Sequence, residues 1–160
     1  DKTGAIVEAL SEIAVVIAGS AESTRQACVS FARNMAVAFQ IVDDILNFSE
    51  ASEWTKTCGE DLKEGKLTYV ITRAIELLES SHKERLVEIL CDADLRKTPA
   101  ILREGIELVQ RSGALADCRS EAESMFHAAW SQFSASIAPS YAKILLHMLC
   151  IRTLHLSGDP

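Results

Sequence analysis

Two adjacent acids, Asp43 and Asp44, sit on a segment that is otherwise strongly apolar. At about 100° per residue, Phe31, Met35, Ala38, Phe39, Ile41, Val42, Ile45 and Leu46 cover a wide arc of one helix. Arg33, Gln40, Asp43, Asp44 and Asn47 fall together on the narrow stripe opposite. Asp43 and Asn47 are one turn, ~6 Å, apart along that stripe. Paired carboxylates on so hydrophobic a helix are costly to bury unless a cation lies between them. A hard divalent ion such as Mg²⁺ suits them, because it takes one or two carboxylates and completes its shell with waters and phosphate oxygens.

An Asp-Asp pair on a helix is most often solvated surface. The loop C-terminal to this pair sets it apart. The chain turns through Cys58-Gly59-Glu60-Asp61-Leu62-Lys63-Glu64-Gly65-Lys66, carrying acids and lysines together, before an apolar helix starts at Leu67. A lysine ammonium is a compact charge on a flexible stem and can follow a phosphate that moves. Asp61 reads as a loop-bracing or helix-capping acid rather than a ligand.

Phe39-Gln40-Ile41-Val42-Asp43-Asp44-Ile45-Leu46-Asn47-Phe48, followed by Lys56-Thr57-Cys58-Gly59-Glu60-Asp61-Leu62-Lys63-Glu64-Gly65-Lys66, resembles the second aspartate-rich region of the trans-type polyprenyl diphosphate synthases. The family pattern is Phe-Gln-x-x-Asp-Asp-x-x-Asp, then a Gly-Lys-x-x-Gly-x-Asp-Leu-x-x-Gly-Lys loop. Two positions depart from it. Asn47 stands where the family has its last aspartate and offers an amide oxygen without the charge, and Thr55 replaces the first loop glycine. The resemblance is strongest over residues 31–68. It spans nearly the whole chain and includes a turn at Gln110-Arg111-Ser112-Gly113-Ala114 ahead of a long helix.

The resemblance implies an all-α helical bundle of the isoprenoid synthase type, with residues 1–160 forming its C-terminal part in a single domain. The family's first aspartate-rich motif, which binds the other metals, does not occur in the sequence. The implied activity is Mg²⁺-dependent condensation of an allylic diphosphate with isopentenyl diphosphate, giving a longer polyprenyl diphosphate. Asp43, Asp44 and Asn47 become the metal positions. Lys2, Lys56 and Lys66 become the cations facing diphosphate, Lys2 together with Thr3 matching a Lys-Thr pair that lines the family's site. Phe39 and Gln40 complete the substrate contacts, Gln40 and Asn47 by positioning waters. One half of such an enzyme is expected to be inactive alone, and the whole to be a homodimer or heteromer. A second reading from a different class stays open: a non-catalytic helical partner subunit of a heteromeric synthase, for which Asn47 is the one sign. A terpene cyclase of the same fold fits less well, since Asn47-Phe48-Ser49-Glu50 does not reproduce that family's metal motif.

Composition agrees with a helical protein. Of 160 residues, 48% are apolar and three are proline, enough to bury a substantial core. The net charge of −7 without any basic block argues against nucleic-acid partners and against electrostatic docking on anionic membranes. No run of 18 apolar residues exists, so a transmembrane span is not expected. Five irregularly spaced cysteines (Cys28, Cys58, Cys91, Cys118, Cys150) lack metal spacing and read as reduced thiols, hence an intracellular protein, cytoplasmic or mitochondrial. The four histidines share no ligand spacing.

The elements that must position the motif are helices. Apolar periodicity predicts one over residues 3–18, stopping at Gly19, and a long central one over 22–48. Further helices are expected from Leu67, around Leu86–Leu90, and from Thr98-Pro99, a cap and first-turn pair, to Val109. A long amphipathic helix over 114–137 is broken by Pro139, and a last one begins near Tyr141. Trp54 is expected to pin the motif loop.

Overall fold

In the computed structural model, residues 2–49 and 58–156 are described, Lys2 and Thr3 by backbone only. Among these residues every regular element is helical: α1 (Lys2–Ile17), α2 (Glu22–Leu46), α3 (Glu60–Glu64), α4 (Tyr69–Leu77), α5 (Ser80–Cys91), α6 (Ala93–Lys97), α7 (Pro99–Arg111), α8 (Ala114–Ser136) and α9 (Tyr141–Thr153). The all-α expectation holds. Trp54, Thr55 and Lys56 lie outside the described residues.

Several ends follow the sequence signals. Gly19 takes a left-handed φ of 63° after α1. Pro99 opens α7. Helix α4 begins at Tyr69 rather than Leu67, capped by Thr68, whose hydroxyl accepts the Ile71 N–H. The five-residue α6 has no apolar periodicity to announce it, although Asp92 caps it by accepting the Asp94 and Leu95 N–H groups at 2.8 and 3.2 Å.

The chain divides into two compact units, Asp1–Gln40 with Glu121–Pro160, and Ile41–Ser120. In the first, α2, α8 and α9 meet in an aromatic cluster. Phe31 stacks on Phe133 at 4.6 Å, Trp130 on His147 at 4.3 Å, and Phe126 is fully buried beside them. Each such buried ring contributes about 2–3 kcal/mol of transfer free energy, plus ~1 kcal/mol for ring geometry. Helix α1 runs antiparallel to α2, with Glu8 paired to Arg33 (2.5 and 3.0 Å) and Glu12 to Arg25.

Those pairs fix the rotation of α1, and the outcome differs from the expected burial of its apolar stripe. Gly4 and Val15 face inward, whereas Ile6, Leu10, Ile13 and Ile17 are each more than half exposed. The small Gly4 permits close approach on one side, and two carboxylates one turn apart commit that same side to arginines. Helix α9 behaves likewise: Cys150 is buried, while Tyr141, Ile144, Met148 and Leu149 stay exposed.

The second unit has its core in Val42, Ile45, Phe48, Leu62, Val70, Ile71, Leu86, Ile89, Val109 and Cys118. Helix α7 packs against α4, α5 and α6, and Gly105 on α7 brings its backbone close to Leu62 and Ile89. Arg85 on α5 holds Glu104 on α7 through its Nε and Nη2, at 2.9 and 2.8 Å. Arg96 on α6 donates to the carbonyls of Lys63, at 3.2 Å, and Leu90, so it closes the C-terminal ends of α3 and α5 together.

Candidate functional site

The motif helix ends inside the second unit, and its polar residues are divided by what they touch. Asp44 is only 6% exposed, which a carboxylate tolerates when its oxygens are bonded. Its Oδ2 accepts the Tyr69 N–H at 3.0 Å. Tyr69 is the first residue of α4, so a negative charge sits on the positive end of that helix. Asn47, one turn later, is 2% exposed. Its Oδ1 accepts the Asp61 N–H at 3.1 Å, and its main-chain carbonyl accepts the Gly59 N–H at 2.7 Å. Asp43 is half-buried. Next to Asn47, Phe48 is anchored by Gln110, whose Nε2 donates to the Phe48 carbonyl at 2.9 Å.

The loop after the motif is thereby tied back to it. Gly59, at φ 76°, starts the turn into α3, and Gly65, at φ 73°, ends that helix. Both values lie where L side chains are strained. Lys66 comes next in the chain. Its main-chain N–H donates to the Asp61 carbonyl at 2.9 Å, and its ammonium lies 3.1 Å from Asp61 Oδ1 and 2.6 Å from Glu64 Oε2. Glu64 and then Asp61 raise the Lys66 ammonium above its ordinary value, so it stays charged throughout the neutral range. The Lys66 side chain is 57% exposed and can exchange these partners for another anion. Asp61 is indeed a bracing acid at this position.

Of the residues named from the sequence, Asn47, Asp61 and Lys66 are joined by direct bonds, and Asp44 is bonded to the first residue of α4. Gln40 is half-buried one turn before Asp43 and Asp44 on α2. Phe39, counted in the apolar arc, is 39% exposed rather than buried. The side chains of Lys2 and Thr3, and all of Lys56, lie outside the described residues. Gln110 and Tyr69 support the site without any mark in the motif itself. The Gln110-Arg111-Ser112-Gly113-Ala114 turn points to the region, but a side chain reaching a carbonyl 62 positions away leaves no local sequence signal.

Among the described residues no three His, Cys, Asp or Glu side chains form a metal-binding group. What Asp43 and Asp44 offer is oxygen only, on one turn of helix, with Asp43 partly open. That donor chemistry fits Mg²⁺ completed by waters and phosphate oxygens, and does not make a closed protein cage.

Known proteins are similar to this chain in sequence and in fold. The polyprenyl synthetase family model matches residues 1–107. The chain is 34% identical over 112 residues to a short chain isoprenyl diphosphate synthase of Methanocaldococcus jannaschii, covering 69% of this chain and 34% of that protein. It is 33% identical over 122 residues to an all-trans-nonaprenyl-diphosphate synthase of Rhodobacter capsulatus, covering 76% and 36%. Among solved structures, geranylgeranyl pyrophosphate synthetase from Pyrococcus horikoshii Ot3 superposes with a TM-score of 0.81 at 25% identity, covering 99% of this chain and 46% of the other. A polyprenyl synthase from Caulobacter crescentus, solved with calcium and isoprenyl diphosphate, gives 0.81 at 27% identity over 98% and 47%. The chain belongs to the polyprenyl synthetase family. It spans about a third of the length of the curated relatives it matches.

Proposed function

We propose that this chain is the C-terminal part of a trans-prenyltransferase domain that extends an allylic diphosphate with isopentenyl diphosphate. The observation that carries the reading is the acid pair on α2 bonded, through Asp44 and Tyr69, to the segment that presents Lys66. Acids for a divalent cation and a lysine for a diphosphate thus belong to one packed unit. The named relatives make short-chain and longer prenyl diphosphates, which supports the same substrate class here.

Asp43 and Asp44 would hold Mg²⁺, directly or through water. When bound, the ion supplies charge stabilisation to a departing diphosphate. The chain's own residues do the rest. Lys66, with Lys2 and Lys56, neutralises phosphate oxygens, for which Lys66 must leave Asp61 and Glu64. Gln40 orders water beside Asp43. Phe39 offers an exposed apolar ring to a hydrocarbon substrate without supplying a nucleophile that would quench a carbocation. No helix among the described residues is long and apolar enough to cross a membrane, and five irregularly spaced cysteines support a reducing, intracellular location.

The test is incorporation of isopentenyl diphosphate into an extractable product by a full-length synthase carrying this segment, given an allylic diphosphate and Mg²⁺. Product should form with Mg²⁺ and vanish on chelation. No incorporation with any allylic chain length would instead favour the non-catalytic partner subunit.

A further inference from the structure

Asn47 occupies a position where the aspartate-rich pattern suggests a metal ligand, yet its surroundings are those of a structural fastener. Its side chain is almost wholly enclosed, and the carboxamide oxygen is already spent on the Asp61 N–H at 3.1 Å. The main chain of the same residue holds the Gly59 N–H at 2.7 Å. Two main-chain N–H groups at the start of α3 therefore hang on one residue. Three positions earlier, Asp44 holds the Tyr69 N–H. Between these two anchors lies the segment 59–69, with Lys66 near its far end. Asp61, whose N–H is fixed by Asn47, is also the residue whose carbonyl and carboxylate fix Lys66. A continuous path of hydrogen bonds thus runs from Asn47 through Asp61 to the lysine.

We propose that Asn47 is a positioning residue, which sets the place of Lys66 through Asp61 and takes no part in binding the metal. Together Asp44 and Asn47 act as a two-point clamp on the loop, and cation binding stays with the Asp43–Asp44 pair. Asparagine serves here because the task is to accept one backbone N–H in a buried place. An amide oxygen does this without bringing a fourth negative charge beside Asp43, Asp44 and Asp61. On this account the departure from the family pattern at residue 47 leaves the loop geometry intact and is no mark of a decayed site.

The clamp is read from hydrogen exchange, and its consequence for ligand binding rests on the proposed function. Backbone exchange is followed at Asp61, at Tyr69 and at core amides of α5 and α7 in the wild-type chain, Asn47→Ala and Asn47→Asp. Affinity for inorganic pyrophosphate at saturating Mg²⁺ is measured on full-length synthases carrying this segment with the same substitutions. Asn47→Ala should speed exchange at Asp61 by about tenfold, the loss expected for one buried acceptor, while core amides change less than twofold. It should weaken pyrophosphate binding several-fold without moving the Mg²⁺ midpoint. Asn47→Asp, which keeps an acceptor oxygen, should restore Asp61 protection and pyrophosphate affinity. Three results overturn the proposal: unchanged Asp61 exchange in Asn47→Ala, equal acceleration of all amides, or a several-fold shift of the Mg²⁺ midpoint in Asn47→Ala. If a wild-type full-length synthase carrying this segment binds no pyrophosphate, the proposed function fails, and the exchange arm still decides the clamp.

Discussion

Asp43, Asp44 and Lys66 are legible from residue type and spacing, because the chemistry of a divalent cation with a phosphate requires acids and a mobile ammonium. The role of Asn47 is not. Whether an amide oxygen faces an ion or a backbone N–H depends on how the chain returns fourteen residues later, and no local pattern encodes that. His147 is a second residue whose character only the fold reveals. Burial, with a smaller contribution from His127, lowers its value below 6.5, because the ring packs against both Trp130 and Phe126. A depressed histidine favours the folded state when neutral. Its contribution is full above pH 6.5 and is lost as pH falls through the lower folded value. Glu8, Glu22 and Glu104 are held below 4.5 by their arginines, so their loss comes at more acid pH. The melting temperature should therefore fall in two steps on acidification. His147→Phe should abolish the first step and keep the second; an unchanged first step would show that another group titrates there.

Helix boundaries are readable where a cap or breaker stands in the sequence, as at Gly19, Thr98-Pro99 and Pro139. Facing is less so. The periodicity of α1 gives a helix but not the side that packs, which Glu8, Glu12 and Gly4 decide against the larger apolar stripe. The start of α3 carries the sharpest elemental constraint. Gly59 combines a φ of 76° with an approach in which an added Cβ would lie 2.6 Å from Ile106 Cγ1. Gly59→Ala should cost about 1–2 kcal/mol for the backbone and ~1 kcal/mol or more for displacing Ile106. A urea midpoint matching wild type would contradict this geometry. The weaker pyrophosphate binding expected of Asn47→Ala should appear here too, since both changes disturb the same turn.

At the scale of the whole chain, the all-α class and the family are both legible, because one long motif with fixed spacings carries far more information than composition. The exposed faces of α1 and α9 are legible only in kind. Ile6, Leu10, Ile13, Ile17, Tyr141, Ile144, Met148 and Leu149 are each at least 55% exposed, a density of apolar surface that monomers rarely carry. The chain by itself should self-associate with rising concentration despite its charge of −7, as seen by light scattering. A stable monomer at millimolar concentration would contradict that expectation.

The central claim, that the α2 acid pair is the cation site of a prenyl transferase, is tested most directly at Asp43. Its side chain is partly open, and the loop is anchored through Asp44 and Asn47 instead. Initial-rate prenyl transfer is measured across a Mg²⁺ titration for a full-length synthase carrying this segment, as wild type and as Asp43→Ala. Loss of this carboxylate should lower turnover about a hundredfold, ~3 kcal/mol of transition-state stabilisation, and raise the Mg²⁺ needed for half-maximal rate. Near-normal turnover of Asp43→Ala at every Mg²⁺ concentration would show that the acid pair is not the metal site.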